Sequence, residues 1–389
     1  MAVTVRSIAD LGRVHLIGSG GAGMSAVAVL LVGAGVDVSG SDAKQSEYLI
    51  ALREAGIPVQ VGSDPAAVDE ADTVVVSTAI RPTNPVLVRA QERGLPVLHR
   101  AEALALALSG RRTVAVAGAH GKSTTSAMTA HVLRRCGLDP SYAIGAIIPA
   151  DQGQVGVVAG GRCGTSDIAV IEADESDASF LHYTPTVAVV TNVEPDHLDF
   201  FGSRAAFEEA FESFVARIVP DGVLIAGVDD AGARHLLGSY RDRGGQGIGY
   251  GFTAGDVRIY DWQVTGGGSR FTLQAPAGNF DVALAVPGEH NAANAAAAWT
   301  TAVWFGVDPA QAAQALADFA GTGRRFEKRG TVAGVRVVDD YAHHPTEVRA
   351  VLRTARAAVG DARVIVLFQP HLFSRTKAFA TEFAEALSL

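Results

Sequence analysis

The sequence predicts an α/β protein built on parallel sheets, and three observations carry that prediction. Short apolar runs alternate with helix-length segments through the first hundred residues, the pattern of strands joined by crossover helices. Two of those runs end in glycine loops that open helices, Gly18-Ser19-Gly20-Gly21-Ala22-Gly23 and Gly118-Ala119-His120-Gly121-Lys122-Ser123-Thr124. Two more, 168–171 and 187–190, break into polar clusters at 172–177 and 191–199, as strands do where they reach a ligand crevice.

In chain order, the first unit reads strand 14–17, glycine loop, helix 24–32 and strand 36–38. Helix 45–55 then precedes Val59 and Val61, strand 73–76 follows, and helix 85–93 precedes Val97 and Leu98. The first loop satisfies the dinucleotide fingerprint, and Asp42 lies 19 residues beyond Gly23, where an acid meets a ribose. Such a loop places a diphosphate on a helix N-terminus, a requirement that NAD and a nucleotide sugar satisfy equally. Ser77 and Thr78 end strand 73–76 and are expected to face the same crevice.

The second loop follows a buried strand, 113–117, and opens a helix in which Met128, Val132 and Cys136 recur at four-residue spacing before Gly137. Backbone N–H groups and the helix N-terminus would face an anion, Lys122 would neutralise terminal phosphates, and the Ser123 hydroxyl would ligate magnesium. The loop has two residues between its glycines instead of the usual four, so its local pattern also fits a glycine turn opening an ordinary helix. Lysine is scarce here, four residues against 28 arginines, which weakens the reading of Lys122 as a chance occupant. Glu172 and His197, in the two polar clusters, are the magnesium candidates; the carboxylate is a usual ligand for that hard ion and the imidazole an unusual one. A solvated acidic loop is the alternative for 172–177.

Beyond helix 204–218, residues 248–286 read as antiparallel strands with a turn at Gly266-Gly267-Gly268. Residues 288–294 open an alanine-rich helix that runs to about 305, where His290 and Asn291 either meet a base or, in the case of Asn291, cap the helix. A glycine-flanked basic turn at 321–326 is a plausible hinge. Strand 336–338, a polar run at 339–345, helix 346–357, strand 364–368 and helix 376–387 make a third α/β unit. With two or three strands and no further one to cover its face, that unit is expected to be cut short.

The length of 389 residues suggests two to four domains, and the net charge of −9 argues against nucleic acid as main partner. Cys136 and Cys163 have no metal-like spacing, which fits a reduced, cytoplasmic setting. Arg6, Asp10 and Arg13 interrupt any signal peptide, and the longest apolar stretch, 24–36, is too short to span a bilayer.

Taken together, the motifs resemble the Mur ligases over nearly the whole chain. The carriers are GSGGAGMS at 18–25, GAHGKST at 118–124, EADESDASF at 172–180 and TNVEPDHLD at 191–199. GEHNAANA at 288–295, GTGRRFE at 321–327, DDYAHHPTE at 339–347 and FQPHLFSRT at 368–376 complete the set. The resemblance implies a Rossmann-like UDP-sugar domain (1–109), a central P-loop ATPase domain (110–322) and a partial amino-acid-binding domain (323–389). It implies a bacterial cytoplasmic enzyme of peptidoglycan precursor synthesis, a monomer or weak homo-oligomer, with ATP and Mg2+ as cofactors. ATP would phosphorylate the lactyl carboxylate of UDP-N-acetylmuramic acid, and the amine of L-alanine would attack the acyl phosphate to leave an amide.

In that scheme residues 18–23, Asp42, Ser77 and Thr78 bind the UDP-sugar. Gly118, Ala119, His120, Gly121, Lys122, Ser123 and Thr124 cradle ATP, with His290 and Asn291 at the adenine. Arg325 and Asp340 close over the nucleotide and His343 lies near the phosphates. Tyr341, His371 and Arg375 receive the amino acid, a guanidinium pairing with its carboxylate as a fork. The metal falls to Ser123, Glu172 and His197. Departures from the family pattern are Ala119 and Ser123, where threonine is common, and Leu372, where many members carry a second arginine. A recycling ligase that adds a tripeptide, an NAD-dependent oxidoreductase using 18–23 and Asp42, and a non-catalytic nucleotide-binding fragment are the competing expectations.

Overall fold

Strand order in the first 100 residues already locates a crevice. The computed structural model describes residues 5–151, 157–158, 160–265 and 267–389. It divides into two compact units, Met1–Ala115 with Leu138–Thr186 and Val116–Gly137 with Val187–Leu389; the strand Arg112–Ala117 carries residues of each.

In the first unit, Val59–Val61, Val38–Asp42, Val14–Ile17, Thr73–Val76 and Val97–His99 form a five-stranded sheet in that order. Every pairing is parallel, with Val14 beside Val38 on one flank and Thr73 on the other. The order reverses between Val14–Ile17 and Thr73–Val76, so Gly18 and Ser77 leave neighbouring strand ends at the switch point, where open α/β sheets bind ligands. The helix Ala22–Gly33 is apolar nearly all round and buries eight residues, from Met24 to Leu31, so it packs as a core helix. The same unit carries Ile168–Glu172 parallel to Ser141–Ala143, with Gly161–Arg162 antiparallel to the latter.

In the second unit, Val187–Val190, Val223–Gly227 and Gln246–Gly251 run parallel, and Val257–Thr265, Gly268–Ala275 and Gly278–Leu284 continue as an antiparallel meander. The expected antiparallel stretch 248–286 therefore begins with a parallel strand, because Gln246–Gly251 is entered from the helix Ala231–Asp242 and not from a hairpin. Of the expected turn, Gly266 lies outside the described residues. Helix Lys122–Arg135 packs on the alanine-rich helix Glu289–Trp304, whose small side chains allow close approach; Thr125 Oγ1 donates to Asn294 Oδ1 across the contact at 3.0 Å.

The last segment holds an antiparallel hairpin, Glu327–Val332 with Val335–Asp339, followed by helices Pro345–Val359, Phe373–Ala378 and Ala380–Leu387. The last two divide the expected helix 376–387 at Phe379, whose φ of −116° and ψ of 28° depart from helical geometry. No strand forms at 364–368. The hairpin pairs only with itself, and with no neighbour to bond, Ile365 and Leu367 stand 74% and 100% exposed. Val348, Phe383 and Ala386 form a small core here, with Leu352, Phe368 and Phe379 packed against it.

Candidate functional site

The first glycine loop lines a cavity of about 510 Å³ together with Asp42, Ser77, Arg100, Glu172 and Asp174. Gly21 caps the helix and no acidic residue occupies its first turn, so its free N–H groups face the cavity as an anion seat. Asp42 does more than face a ligand: its Oδ2 accepts from Gly20 N at 3.0 Å and its Oδ1 from Lys44 N at 3.0 Å, which fixes the loop. Ser19 is buried and lies so close to Gly40 that a Cβ there would sit 2.6 Å from its Oγ. Thr78 donates to Asp177 Oδ2 at 3.2 Å. Glu172 Oε2 accepts from Gly145 N at 2.8 Å. Arg100, which sequence reasoning did not single out, pairs with Asp174 at 2.7 Å and reaches back to the loop at Gly23. Its signal was weak: one arginine opening the helix Arg100–Ala107, far from any motif.

The second loop is clamped from both sides by its neighbours. Gly118 has φ of 132°, and a Cβ there would lie 2.1 Å from Thr191 Oγ1. Gly121, with φ of 83°, is the left-handed cap of the helix Lys122–Arg135. Asn192 accepts from His120 N at 3.1 Å and donates to His120 O at 3.0 Å, and Thr191 Oγ1 donates to the same oxygen. Lys122 Nζ donates to Gly118 O at 2.7 Å, which curls the ammonium over the loop that carries it. Ser123 and Thr124 follow in the buried first turn, which again contains no acidic residue. Asn291, buried, donates to Pro287 O at 2.7 Å, and Gly288, φ 108°, lies against the His290 ring.

Around this loop the structure assembles many of the residues expected at the nucleotide and the amino acid. The hub is Glu347, whose side chain is 10% exposed. It stands 3.5 Å from His120 Nδ1, 3.6 Å from Arg325 Nη1 and 3.4 Å from His343 Nδ1, and accepts from His343 N at 2.9 Å. Burial raises its carboxyl pKa, but the contact with His120 and the charges of Arg325 and His343 outweigh that and hold it well below the usual range. Burial likewise disfavours the His120 imidazolium, yet its contacts with Glu194 and Glu347 win and lift it to about 9. His343 moves the other way because burial dominates. In the sequence Glu347 closes the run DDYAHHPTE without being singled out; the structure makes it the third residue of a helix capped by His344, and its cluster role is a tertiary fact.

Tyr341 sits beneath the guanidinium of Arg324 at 4.4 Å and near that of Arg325 at 5.6 Å. His343 packs on Tyr341 and His371, with ring centroids 4.9 and 5.6 Å apart. Asp340 accepts from Phe326 N and Ala342 N, both at 2.7 Å, and so ties down the basic turn where Arg324 and Phe326 take positive φ. Arg375 is placed differently. Its guanidinium binds Asp196 as a fork, Nε donating to Oδ1 at 3.3 Å and Nη2 to Oδ2 at 2.9 Å, with the two side chains 4% and 7% exposed. His197, beside it, takes φ of 52°, and its backbone N donates to Asp196 Oδ1 at 2.8 Å.

With this geometry in place, comparison with known proteins is informative. Three family models match in succession: the Mur ligase family catalytic domain over residues 13–112, the Mur ligase middle domain over 116–302 and the Mur ligase glutamate ligase domain over 324–389. A UDP-N-acetylmuramate–L-alanine ligase from Kineococcus radiotolerans is 54% identical across 99% of this chain and 81% of its own length. One of the same name from an Arthrobacter species is 53% identical across 99% and 80%. Among solved structures, the UDP-N-acetylmuramate–alanine ligase MurC of Thermotoga maritima superposes with a TM-score of 0.83 at 30% identity, covering 96% of this chain and 83% of that one.

Proposed function

The chain belongs to the Mur ligase family, with its three-domain α/β architecture, and from that membership we infer an ATP-dependent ligase that joins L-alanine to UDP-N-acetylmuramate. The observation that carries this reading is the 54% identity over 99% of the chain to a relative of that activity. The site residues are consistent with it. The Gly118–Gly121 cradle, which a Cβ would fill, suits a polyphosphate, and the acid-free start of helix Lys122–Arg135 suits its charge.

ATP, when bound, supplies the phosphoryl group that activates the lactyl carboxylate. The work of the chain is positioning and charge neutralisation, which is most of what such a transfer needs. Lys122 swings from Gly118 O to the terminal phosphates. Ser123, with its hydroxyl, and His197 are the candidates for Mg2+ beside the phosphate loop, and Glu172 is the carboxylate candidate carried by the first unit; an oxygen donor is the usual choice for that ion. Residues 18–23, Ser77 and Arg100 receive the UDP-sugar, with Asp42 holding the loop in shape. Tyr341 and His371 border the amino acid, Arg375 meets its carboxylate after release from Asp196, and His343 lies near the phosphates. His290 and Asn291 serve the adenine, and Arg325 and Asp340 close beside it. From the family membership we place the reaction in the bacterial cytoplasm. Among the described residues no helix is long and apolar enough to cross a membrane.

The test is ADP release from ATP with Mg2+ and UDP-N-acetylmuramic acid, with and without L-alanine. Release that requires both the sugar nucleotide and alanine supports the assignment. Release supported by the sugar nucleotide and a tripeptide, but not by alanine, would overturn it.

A further inference from the structure

The magnesium position assigned above draws on Ser123, Glu172 and His197. A second donor set in the unit of the phosphate loop uses none of them. His120, Glu194 and His344 each offer one ligand atom, and the three atoms lie within 4.8 Å of one another. We propose that these three side chains bind a divalent transition ion of the zinc class, tying the phosphate loop to the start of helix Pro345–Val359.

Donor chemistry points to the ion. Two imidazoles and one carboxylate are the set that holds zinc in open four-coordinate sites, whereas magnesium takes oxygen ligands and avoids such a cage. Burial points to the need. His344 is 4% exposed, and its Nε2 is buried with no hydrogen-bond partner. His120 Nε2 is buried too, and it faces the third donor, Glu194 Oε2, at 3.0 Å. A buried ring nitrogen left unpaired is costly, and an ion between the three donors gives His344 Nε2 its partner.

The surroundings match as well. Behind the His120 ring, Nδ1 faces Glu347 Oε1 at 3.5 Å, the placement of the carboxylate that orients a metal-bound imidazole through its other nitrogen. Glu194 is oriented too: its Oε1 accepts from Thr346 Oγ1 at 2.9 Å, which leaves Oε2 on the His120 side. There is one cost. Coordination through His344 Nε2 moves the ring proton to Nδ1 and gives up the long 3.4 Å bond from Thr346 N. Bonds of about 2.0–2.2 Å draw the three donors closer together and leave a fourth position for water.

Zinc held here immobilises His120, and with it the loop that Lys122 must leave, so it inhibits ligation. That consequence rests on the ligase reading; the binding itself does not. The experiment therefore measures metal without substrates. The metal-stripped 389-residue chain is dialysed against zinc in a large excess of magnesium, and cobalt serves as a spectroscopic probe. One equivalent of zinc should be retained, and bound cobalt should show the absorption bands of four-coordination, lost on adding zinc. His344→Gln should weaken binding ~100-fold or more, Glu347→Gln by about 10–100-fold, and His197→Gln not at all. Should His344→Gln fail to fold, Glu194→Gln carries the same test. No zinc on the parent chain, loss of zinc in His197→Gln, or parental affinity in the folded His344 and Glu194 variants would overturn the proposal.

Discussion

The two glycine loops begin alike, each leaving a buried strand and opening a helix, and they are stabilised in opposite ways. The loop at 18–23 is pinned by an acid, since Asp42 accepts from Gly20 N, and its nearby cation, Arg100, is shared with Asp174. At the loop 118–124 the first turn of the helix carries no acidic residue. An amide side chain, Asn192, holds both polar groups of His120, and the loop brings its own cation, Lys122. An acid beside the amides lowers the attraction for a highly charged ligand, so the first arrangement suits a diphosphate and the second a triphosphate with its metal. Loop shape alone does not separate them. What holds the loop does.

The contrast is broken most directly by removing the cation of the second loop. Lys122→Ala should reduce ADP formation by roughly 10³-fold or more while UDP-sugar binding, followed by calorimetry, stays nearly unchanged. Equal loss of both would erase the distinction. The backbone comes next. Gly118→Ala places a Cβ 2.1 Å from Thr191 Oγ1 at a φ of 132° and should cost about 3 kcal/mol in urea denaturation. Gly21→Ala, whose Cβ meets only Gly18 O at 3.5 Å, should stay within about 1 kcal/mol.

The strand beneath the first loop offers a pH test. His15 is buried between the Ser39 and Ser41 hydroxyls, and burial lowers its pKa from 6.5 to about 4. The unfolded chain binds the proton near pH 6.5 and the folded one only near 4, so stability falls as pH drops through that window. The loss attributable to this ring should approach roughly 3 kcal/mol, and His15→Gln should flatten that part of the profile. The smallest effect concerns Asp42. Asp42→Ala should destabilise the first unit by about 1 kcal/mol and weaken UDP-sugar binding several-fold, with the ATP KM unaffected. An altered ATP KM would mean that the two loops are not independent.

Much of this was readable in the chain itself, and the exceptions share a cause. The strands 14–17 and 73–76, the helix after Lys122 and both glycine loops follow from apolar period and turn chemistry, which are local. The expected strand at 364–368 has the right composition, but a strand requires a neighbour, and the hairpin Glu327–Val332 and Val335–Asp339 offers none to it. The site divides in the same manner. Gly118, Lys122, Arg325 and His343 announce themselves by motif. Arg100 lies outside every motif, and Glu347, Asn192 and Asp196 lie inside motif runs that do not single them out; each gains its role from a partner far along the chain, His120 being 227 positions from Glu347. Asp42 was visible by spacing, yet its bond to Gly20 N was not, because spacing says nothing of which atom a carboxylate faces.

The buried fork between Arg375 and Asp196, Nε on Oδ1 and Nη2 on Oδ2, has a mechanical consequence for the short helix Phe373–Ala378. Six residues barely complete a nucleus and would unwind if left alone. Because two parallel bonds join a planar group to a planar group, the pair resists twisting as well as pulling, as a key in a slot does and a pin through a hole does not. The helix is thus held in its angular setting by one side chain, and any movement that turns it must first withdraw that key.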